Sequence, residues 1–327
     1  MAKNSDTLVL GIDLGGTKIL SAVVNDHGGI VARDHSVTPA ALGQEAVIEA
    51  IIFSVHRVLD QAGLPLARLA AVGIGAPGPL NPETGILFTA PNLPGWHDVP
   101  LRDIIERKLG LKGYLVNDAN AAAFGEFFFG AGRGSRNLVY ITVSTGIGGG
   151  IIVDGKLYSG ANGSAAELGH MTIDDDGPLC NCGNKGCWEV LASGTAMARN
   201  ARDQIRAGRG STILDLAGGD LEKVTARIIH TAALQGDALA RELISRTAYY
   251  LGVGLGNIIN IFNPEVIVIG GGVSLMGEIL LKPAWEIAGS RAYKDAFLAA
   301  RFLPAALGRD SGVLGAAAMA LQMSRQP

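Results

Sequence analysis

The chain has 327 residues, about two domains' worth, and its 48% hydrophobic content supports a sizeable core without disulfides. Lys and Arg number 27 against 30 Asp and Glu, a net charge of −3 with no run of like charges, which excludes the basic stripe of a nucleic-acid surface and a charged tail. Nothing reads as a signal peptide, and the uncharged stretch 247–264 carries three Asn and a Pro, which suits a buried helix better than a membrane span; the expectation is a soluble, cytoplasmic protein with no membrane partner.

In chain order, LVLGID (8–13) is a buried strand, LGGT a turn and KILSAVV a second strand, with a third over 30–37. Residues 44–62 place Val47, Ile48, Ile51, Ile52, Val55, Val58 and Leu59 at helical spacing, which predicts a helix. AVGIGA (71–76) is a strand; a Pro/Gly-rich loop covers 77–100, a short helix 101–109 and a strand 113–117. An Ala- and Phe-rich helix follows over 119–130, and then NLVYITVS, TGIGGG and IIVDGKL read as strand, turn, strand. After a loop at 167–189, several helices fill 194–262, VIVI (266–269) is a strand ending in three glycines, and helices near 276–289 and over 311–322 close the chain. The pattern strand, Gly-rich hairpin, strand occurs twice, in GIDLGGTKILSAVVNDHG and about 130 residues later in ITVSTGIGGGIIVDGKL. It predicts two α/β halves of similar architecture with a ligand-binding cleft between them.

The loop 167–189 holds every cysteine of the chain, Cys180, Cys182 and Cys187, with His170 ten residues before the first. One His and three Cys are a full tetrahedral ligand set for zinc, and four protein ligands make the site structural because no position stays open for water. Gly183 and Gly186 sit between the cysteines, where a tight reversal needs positive φ. A disulfide framework fits poorly, because the cysteine count is odd. Glu167 and Glu189 flank the set and would be held in fixed positions by the metal.

The glycine count, 46, is about twice the usual ~7%, and the glycines cluster at the ends of apolar runs. Three such turns are candidate phosphate cradles: Gly15-Gly16-Thr17, Thr145-Gly146-Ile147-Gly148 and Gly270-Gly271-Gly272. Backbone N–H groups without a Cβ in the way can approach phosphate oxygens closely. Asp13, just before the first turn, is positioned to hold Mg²⁺ through water beside a phosphate. Familiar nucleotide motifs fail: GIIVDGKL (150–157) approaches a Walker A sequence but ends in Leu157, and no Rossmann fingerprint follows a strand.

GIDLGGTK, GAPGPL (75–80), PNLPGW (91–96), NDANAAAFGE (117–126), STGIGGGIIVDGKLYSG (144–160), ELGH (167–170) and CNCGNKGCWE (180–189) together resemble the ROK family of bacterial sugar kinases and repressors. The match runs in order over essentially the whole chain and is closest to the ATP-dependent glucokinases. It implies the actin-like α/β fold of hexokinases and heat-shock-chaperone ATPases, with two domains: 1–118 plus the C-terminal helix 311–327, and a larger 119–310 with the zinc loop. It implies Mg-ATP and a hexose as partners, structural zinc, and a homodimer or tetramer. Asp118 would be the general base toward the sugar's 6-hydroxyl; Asn92, Asn117, Asp118, Glu167, His170 and Glu189 would bind the sugar. Gly15, Gly16, Thr17, Thr145 and Gly146 would lie on the phosphates, and Gly271 and Gly272 beside the adenosine. Kinases of N-acetylglucosamine, N-acetylmannosamine or fructose share this constellation, differing around the sugar's 2-position, so glucose is the expected but not the sole candidate. A repressor of the family carries a helix-turn-helix ahead of the kinase-like body; about seven residues precede the first strand, so no such module is expected. Asp13, Asp118 and the three turns also count against a silent sugar sensor.

Overall fold

A computed structural model describes residues 7–90 and 92–325. The leading MAKNSD, Pro91 of the PNLPGW motif and the last two residues of the expected 311–327 helix lie outside the described residues. The chain divides into two units, one drawn from Met1–Arg136, Gly150–Ala166 and Ala305–Pro327, the other from Asn137–Gly149 and Glu167–Pro304.

In the first unit, β1 (Leu8–Leu14) and β2 (Lys18–Asn25) form a hairpin with Leu14 opposite Ile19, and β3 (Ile30–Val37) extends it antiparallel. Helix α1 (Gln44–Ala62) turns Val47, Ile51, Val55 and Val58 into the core beside Leu10 and Ile12 and stops at Gly63, whose φ of 63° few side chains tolerate. Strand β4 (Leu69–Ala76) runs parallel to β1. Within the expected loop 77–100 the chain forms a small antiparallel sheet, β5 (Leu80–Asn81), β6 (Ile86–Thr89) and β7 (His97–Val99), built over buried Leu80, Leu87 and Trp96. Helix α2 (Leu101–Leu109) leads to β8 (Gly113–Asn117), parallel to β4, and the sheet order is β3-β2-β1-β4-β8. Helix α3 (Asp118–Phe128) follows directly.

The C-terminal helix, Ser311–Ser324, lies on the other face of this sheet at backbone distance. A Cβ at Gly73 would collide with the Ala316 carbonyl, one at Gly11 with the Val313 carbonyl, and one at Gly315 with the Ala121 carbonyl. Gly125 of α3 meets Ser311 in the same way. Much of the glycine excess therefore serves close packing. These contacts also tie α3 to the first unit.

In the second unit, β9 (Leu138–Val143) is followed by β10 (Ile147–Val153), which begins inside the stretch expected as a turn: IGGG is already strand. Along β10 the chain passes to the first unit, where it hairpins into β11 (Lys156–Leu157). The helices of the second unit are α4 (Trp188–Ala192), α5 (Gly194–Arg206), α6 (Ile213–Leu216), α7 (Ala226–Leu234) and α8 (Ala238–Phe262). Helix α8 contains most of the uncharged stretch, buried along Ala248, Leu251, Leu255 and Ile258, and no helix among the described residues is long and apolar enough to cross a membrane. Strand β12 (Val266–Gly270) lies parallel to β9. Helix α9 (Glu278–Arg291) packs on α8; α10 (Lys294–Ala299) and β13 (Arg301–Pro304), which the sequence reading omitted, complete the unit, with β13 parallel to β12.

Gly73→Val is expected to destabilise the chain by about 3 kcal/mol or more, because an overpacked site cannot relax when the obstacle is backbone. Gly210→Ala, with open space around it, should stay within about 0.5 kcal/mol. Denaturant midpoints measure both; equal effects would remove the packing argument.

Candidate active site

The first unit presents Asp13, the turn Gly15–Thr17, Asn92, Asn117 and Asp118. Asp13 is the last residue but one of β1, and burial pushes its carboxyl above the ordinary range while the charge of Lys18 pulls it back in part. Gly312 leaves room for that carboxylate: a Cβ there would stand 2.9 Å from its Cγ. The turn is pinned by Gly15 N–H donating to Lys18 O at 2.9 Å and by the Thr38 hydroxyl donating to Gly15 O at 2.7 Å. Gly16 is glycine because a Cβ would collide with Asn92, so the turn and Asn92, distant in sequence, touch here.

Asn117 and Asp118 stand together at the start of α3, where either side chain is of a type that caps a helix. Asn117 takes the cap: its Oδ1 accepts from Ala119 N–H at 3.0 Å and Asn120 N–H at 3.3 Å. Its Nδ2 donates to Gly78 O at 3.4 Å. Asp118 is left exposed at the first position of α3, one oxygen accepting from Ala119 N–H at 2.8 Å. Asn117 is thus engaged within the protein and holds Asp118 in place.

In the second unit the ligand atoms of His170, Cys180, Cys182 and Cys187 lie within 4.8 Å of one another. Cys180 Sγ is 3.7 Å from His170 Nδ1, and Cys182 Sγ is 3.5 Å from Cys187 Sγ. Zn–S of ~2.3 Å and Zn–N of ~2.0–2.1 Å in a tetrahedron put neighbouring ligand atoms about 3.5–3.8 Å apart, so the cluster has zinc's dimensions. The residues fit electrostatically as well. Burial and the adjoining thiols push Cys187 up to about 12, whereas a backbone hydrogen bond from Asn184 holds Cys182 below its ordinary value. Three crowded sulfurs become thiolates together only beside a cation. Gly183 and Gly186 have φ of 94° and 60°, as their places between the cysteines require.

The cluster leads directly to the flanking residues. Cys187 precedes α4, Trp188 is fully buried and donates through Nε1 to Tyr250 O at 2.8 Å, and Glu189 comes next. One oxygen of Glu189 accepts from Ile147 N–H at 3.0 Å, and Gly146 is glycine because a Cβ would collide with that carboxylate. Gly169 sits against the Ile147 carbonyl too closely for any side chain. Glu167 is exposed at the start of the turn Leu168–His170, whose Gly169 packs on the turn 145–148 that Glu189 also contacts.

That turn also walls a cavity of about 680 Å³ lined by Thr145, Gly272 and the starts of α5 and α7. Gly194 N–H donates to Ser144 O at 2.8 Å and Thr195 N–H to Thr145 O at 3.3 Å, which sets the α5 N-terminus on the turn. Gly271 has φ of 88° and abuts the Val143 carbonyl. Arg202, Lys223 and Arg227, which no sequence motif marks, line the same cavity. Two helix N-termini and three cations suit a polyphosphate. The available signal was the pair of N-caps, Ser193 and Thr225.

Residues 9–323 match the ROK family. A glucokinase from Thermotoga maritima is 40% identical, the alignment covering 95% of this chain and 96% of that protein. The solved structure of a ROK family glucokinase from Streptomyces griseus in complex with glucose and AMPPNP is 38% identical with a TM-score of 0.81, covering 96% of this chain and 99% of the other. A putative xylose repressor from Caldicellulosiruptor is 34% identical, covering 96% of this chain and 78% of the repressor. The fold is the actin-like α/β fold that the sequence resemblance implies.

The thiol cluster predicts about one zinc per chain, falling toward none in Cys182→Ser and Cys187→Ser, by elemental analysis of the purified chain. A full zinc equivalent retained by both variants would rule the cluster out as the metal site.

Proposed function

Because the chain belongs to the ROK family, we propose that it transfers the γ-phosphoryl group of ATP to the 6-hydroxyl of a hexose, glucose before others. The observation that carries this reading is the division of labour at α3: Asn117 caps the helix, so Asp118 is held exposed at its first position. A carboxylate fixed there can accept the 6-hydroxyl proton as the sugar oxygen bonds to the γ-phosphorus and the bond to the ADP oxygen breaks.

The other residues take roles by chemistry. The carboxylates of Glu167 and Glu189 accept from vicinal hydroxyls, and Asn92 offers both donor and acceptor. Glu189 uses one oxygen on Ile147 N–H, leaving the other for the sugar. His170 turns Nδ1 to the thiols, so with zinc bound there Nε2–H remains as a donor to the sugar. Zinc supplies shape alone, since four protein ligands close its shell. The cavity beside Thr145 and Gly272 takes the nucleotide, with the Gly146 N–H toward phosphate and Gly271 flanking the adenosine. In the first unit Gly16 and Thr17 offer backbone N–H groups to phosphate, while Gly15 N–H, held by Lys18 O, sets the shape of their turn. Asp13 would hold Mg²⁺ through water; when bound, that ion offsets phosphate charge. Such chemistry suits a cytoplasmic enzyme.

The test is ADP release from Mg-ATP across glucose, mannose, fructose, N-acetylglucosamine and N-acetylmannosamine. Glucose should turn over fastest, and Asp118→Asn should lower kcat by ~10²–10⁴-fold. Preference for an acetamido sugar would keep the mechanism and change the substrate. Sugar binding without turnover on any of them would favour a sensor, the role suggested by the repressor relatives.

A further inference from the structure

Strands β1 and β2 meet at a tight turn in which one closing hydrogen bond is diverted. Leu14 faces Ile19, and Gly15 N–H donates to Lys18 O at 2.9 Å. In a regular two-residue hairpin turn the flanking residues exchange both bonds, so Lys18 N–H would donate back to the Gly15 carbonyl. That return bond does not occur among the described residues; the carbonyl accepts from the Thr38 hydroxyl at 2.7 Å instead.

Thr38 also holds the far side of the turn, its own N–H donating to Thr17 O at 3.1 Å. It can do both because it follows directly on β3, the strand paired with β2. Pro39 comes next, and a proline confines the residue before it to extended backbone. Thr38 is only 6% exposed, so its hydroxyl needs the Gly15 carbonyl as a partner.

The consequence is directional. A peptide group is planar and trans, so its C=O and N–H point opposite ways. With the Gly15 carbonyl on Thr38, the Gly16 N–H of the same peptide points away from Thr38. Closed on Lys18 in the ordinary way, that peptide would be rotated and its N–H with it. The Gly16 and Thr17 N–H groups have no acceptor among the described residues, and Thr17 is exposed, so the turn presents two unspent donors in succession. Successive backbone N–H groups of this kind form anion-binding nests.

We propose that Thr38 is a positioning residue for the nucleotide: by taking the Gly15 and Thr17 carbonyls it turns the Gly16 and Thr17 N–H groups toward the donor phosphates. This rests on the turn 15–17 being the phosphate cradle proposed above. Thr38 acts through the two peptides it holds and not on the substrate.

Calorimetric titration of AMPPNP with Mg²⁺, and separately of glucose, into the full chain tests this. Thr38→Val keeps the shape and removes the donor; AMPPNP affinity should fall by about tenfold or more while glucose affinity stays within about threefold. Thr38→Ser restores the hydroxyl and should return AMPPNP affinity to within about threefold of the parent, which a packing role alone would not do. Thr38→Ala replaces Thr38→Val if the latter does not fold, with the same expectation. Where sugar is phosphorylated, kcat/KM for ATP should follow the AMPPNP affinity. Parent-like AMPPNP affinity in a folded Thr38→Val or Thr38→Ala chain, an equal loss for glucose, or a Thr38→Ser chain as weak as Thr38→Val would overturn the proposal. Failure of both Thr38→Val and Thr38→Ala to fold would overturn it too, by assigning Thr38 to stability alone. A parent chain that binds AMPPNP yet phosphorylates no sugar would sink the proposed activity and leave Thr38 in its role. A parent chain that binds no AMPPNP would remove the cradle and the role of Thr38 together.

Discussion

The peptide group of Ile147 is the point on which the second unit's site depends. Its N–H is donated to Glu189, and its carbonyl faces Gly169 with no space for a side chain. Glu189 follows Trp188, locked in the core, and Cys187, a member of the thiol cluster; Gly169 precedes His170, another member. The thiol cluster, the Glu189 carboxylate and the turn 145–148 are thus one short covalent and hydrogen-bonded circuit. A hydrogen bond to a carboxylate contributes ~1.5–3 kcal/mol, modest for stability but decisive for where Glu189 points. Structural zinc can carry ~10–16 kcal/mol in small peptides, and less is needed here because α4 and α8 already share a core.

The first unit relies on a different constraint, backbone approach. Gly11, Gly73, Gly125 and Gly315 let the C-terminal helix settle against β1, β4 and α3 without side-chain spacers. Close-packed backbone cannot be repacked, which makes it a rigid base for Asp13 and Asp118. Gly312 extends the same device to chemistry by making room for the Asp13 carboxylate. The glycine excess therefore has two origins, positive φ at turns and close backbone approach beneath the C-terminal helix.

Strong periodicity and cysteine spacing were legible in the sequence. Helices 44–62 and 101–109 and strand 113–117 occur with those bounds, and the spacing of Cys180, Cys182 and Cys187 anticipated the cluster. The small sheet in 77–100 was not legible, because strands of two to four residues carry no usable period. IGGG read as a turn from its glycines, yet these are glycines because Leu168 and Ala123 pack against the strand. Asn117 and Asp118 both suit a cap, and only geometry assigns it to Asn117. Arg202, Lys223 and Arg227 reach the cavity beside Thr145 through tertiary placement, for which helix pattern has no signal.

The central claim is that the thiol cluster shapes the sugar half of the second unit and leaves the nucleotide cavity alone. The direct measurement is calorimetric titration of glucose and of AMPPNP into the chain stripped of zinc by a chelator under reducing conditions, with its fold verified by circular dichroism. Glucose affinity should fall by about 10–100-fold while AMPPNP affinity holds. Unchanged glucose affinity in the zinc-free, folded chain would contradict the account.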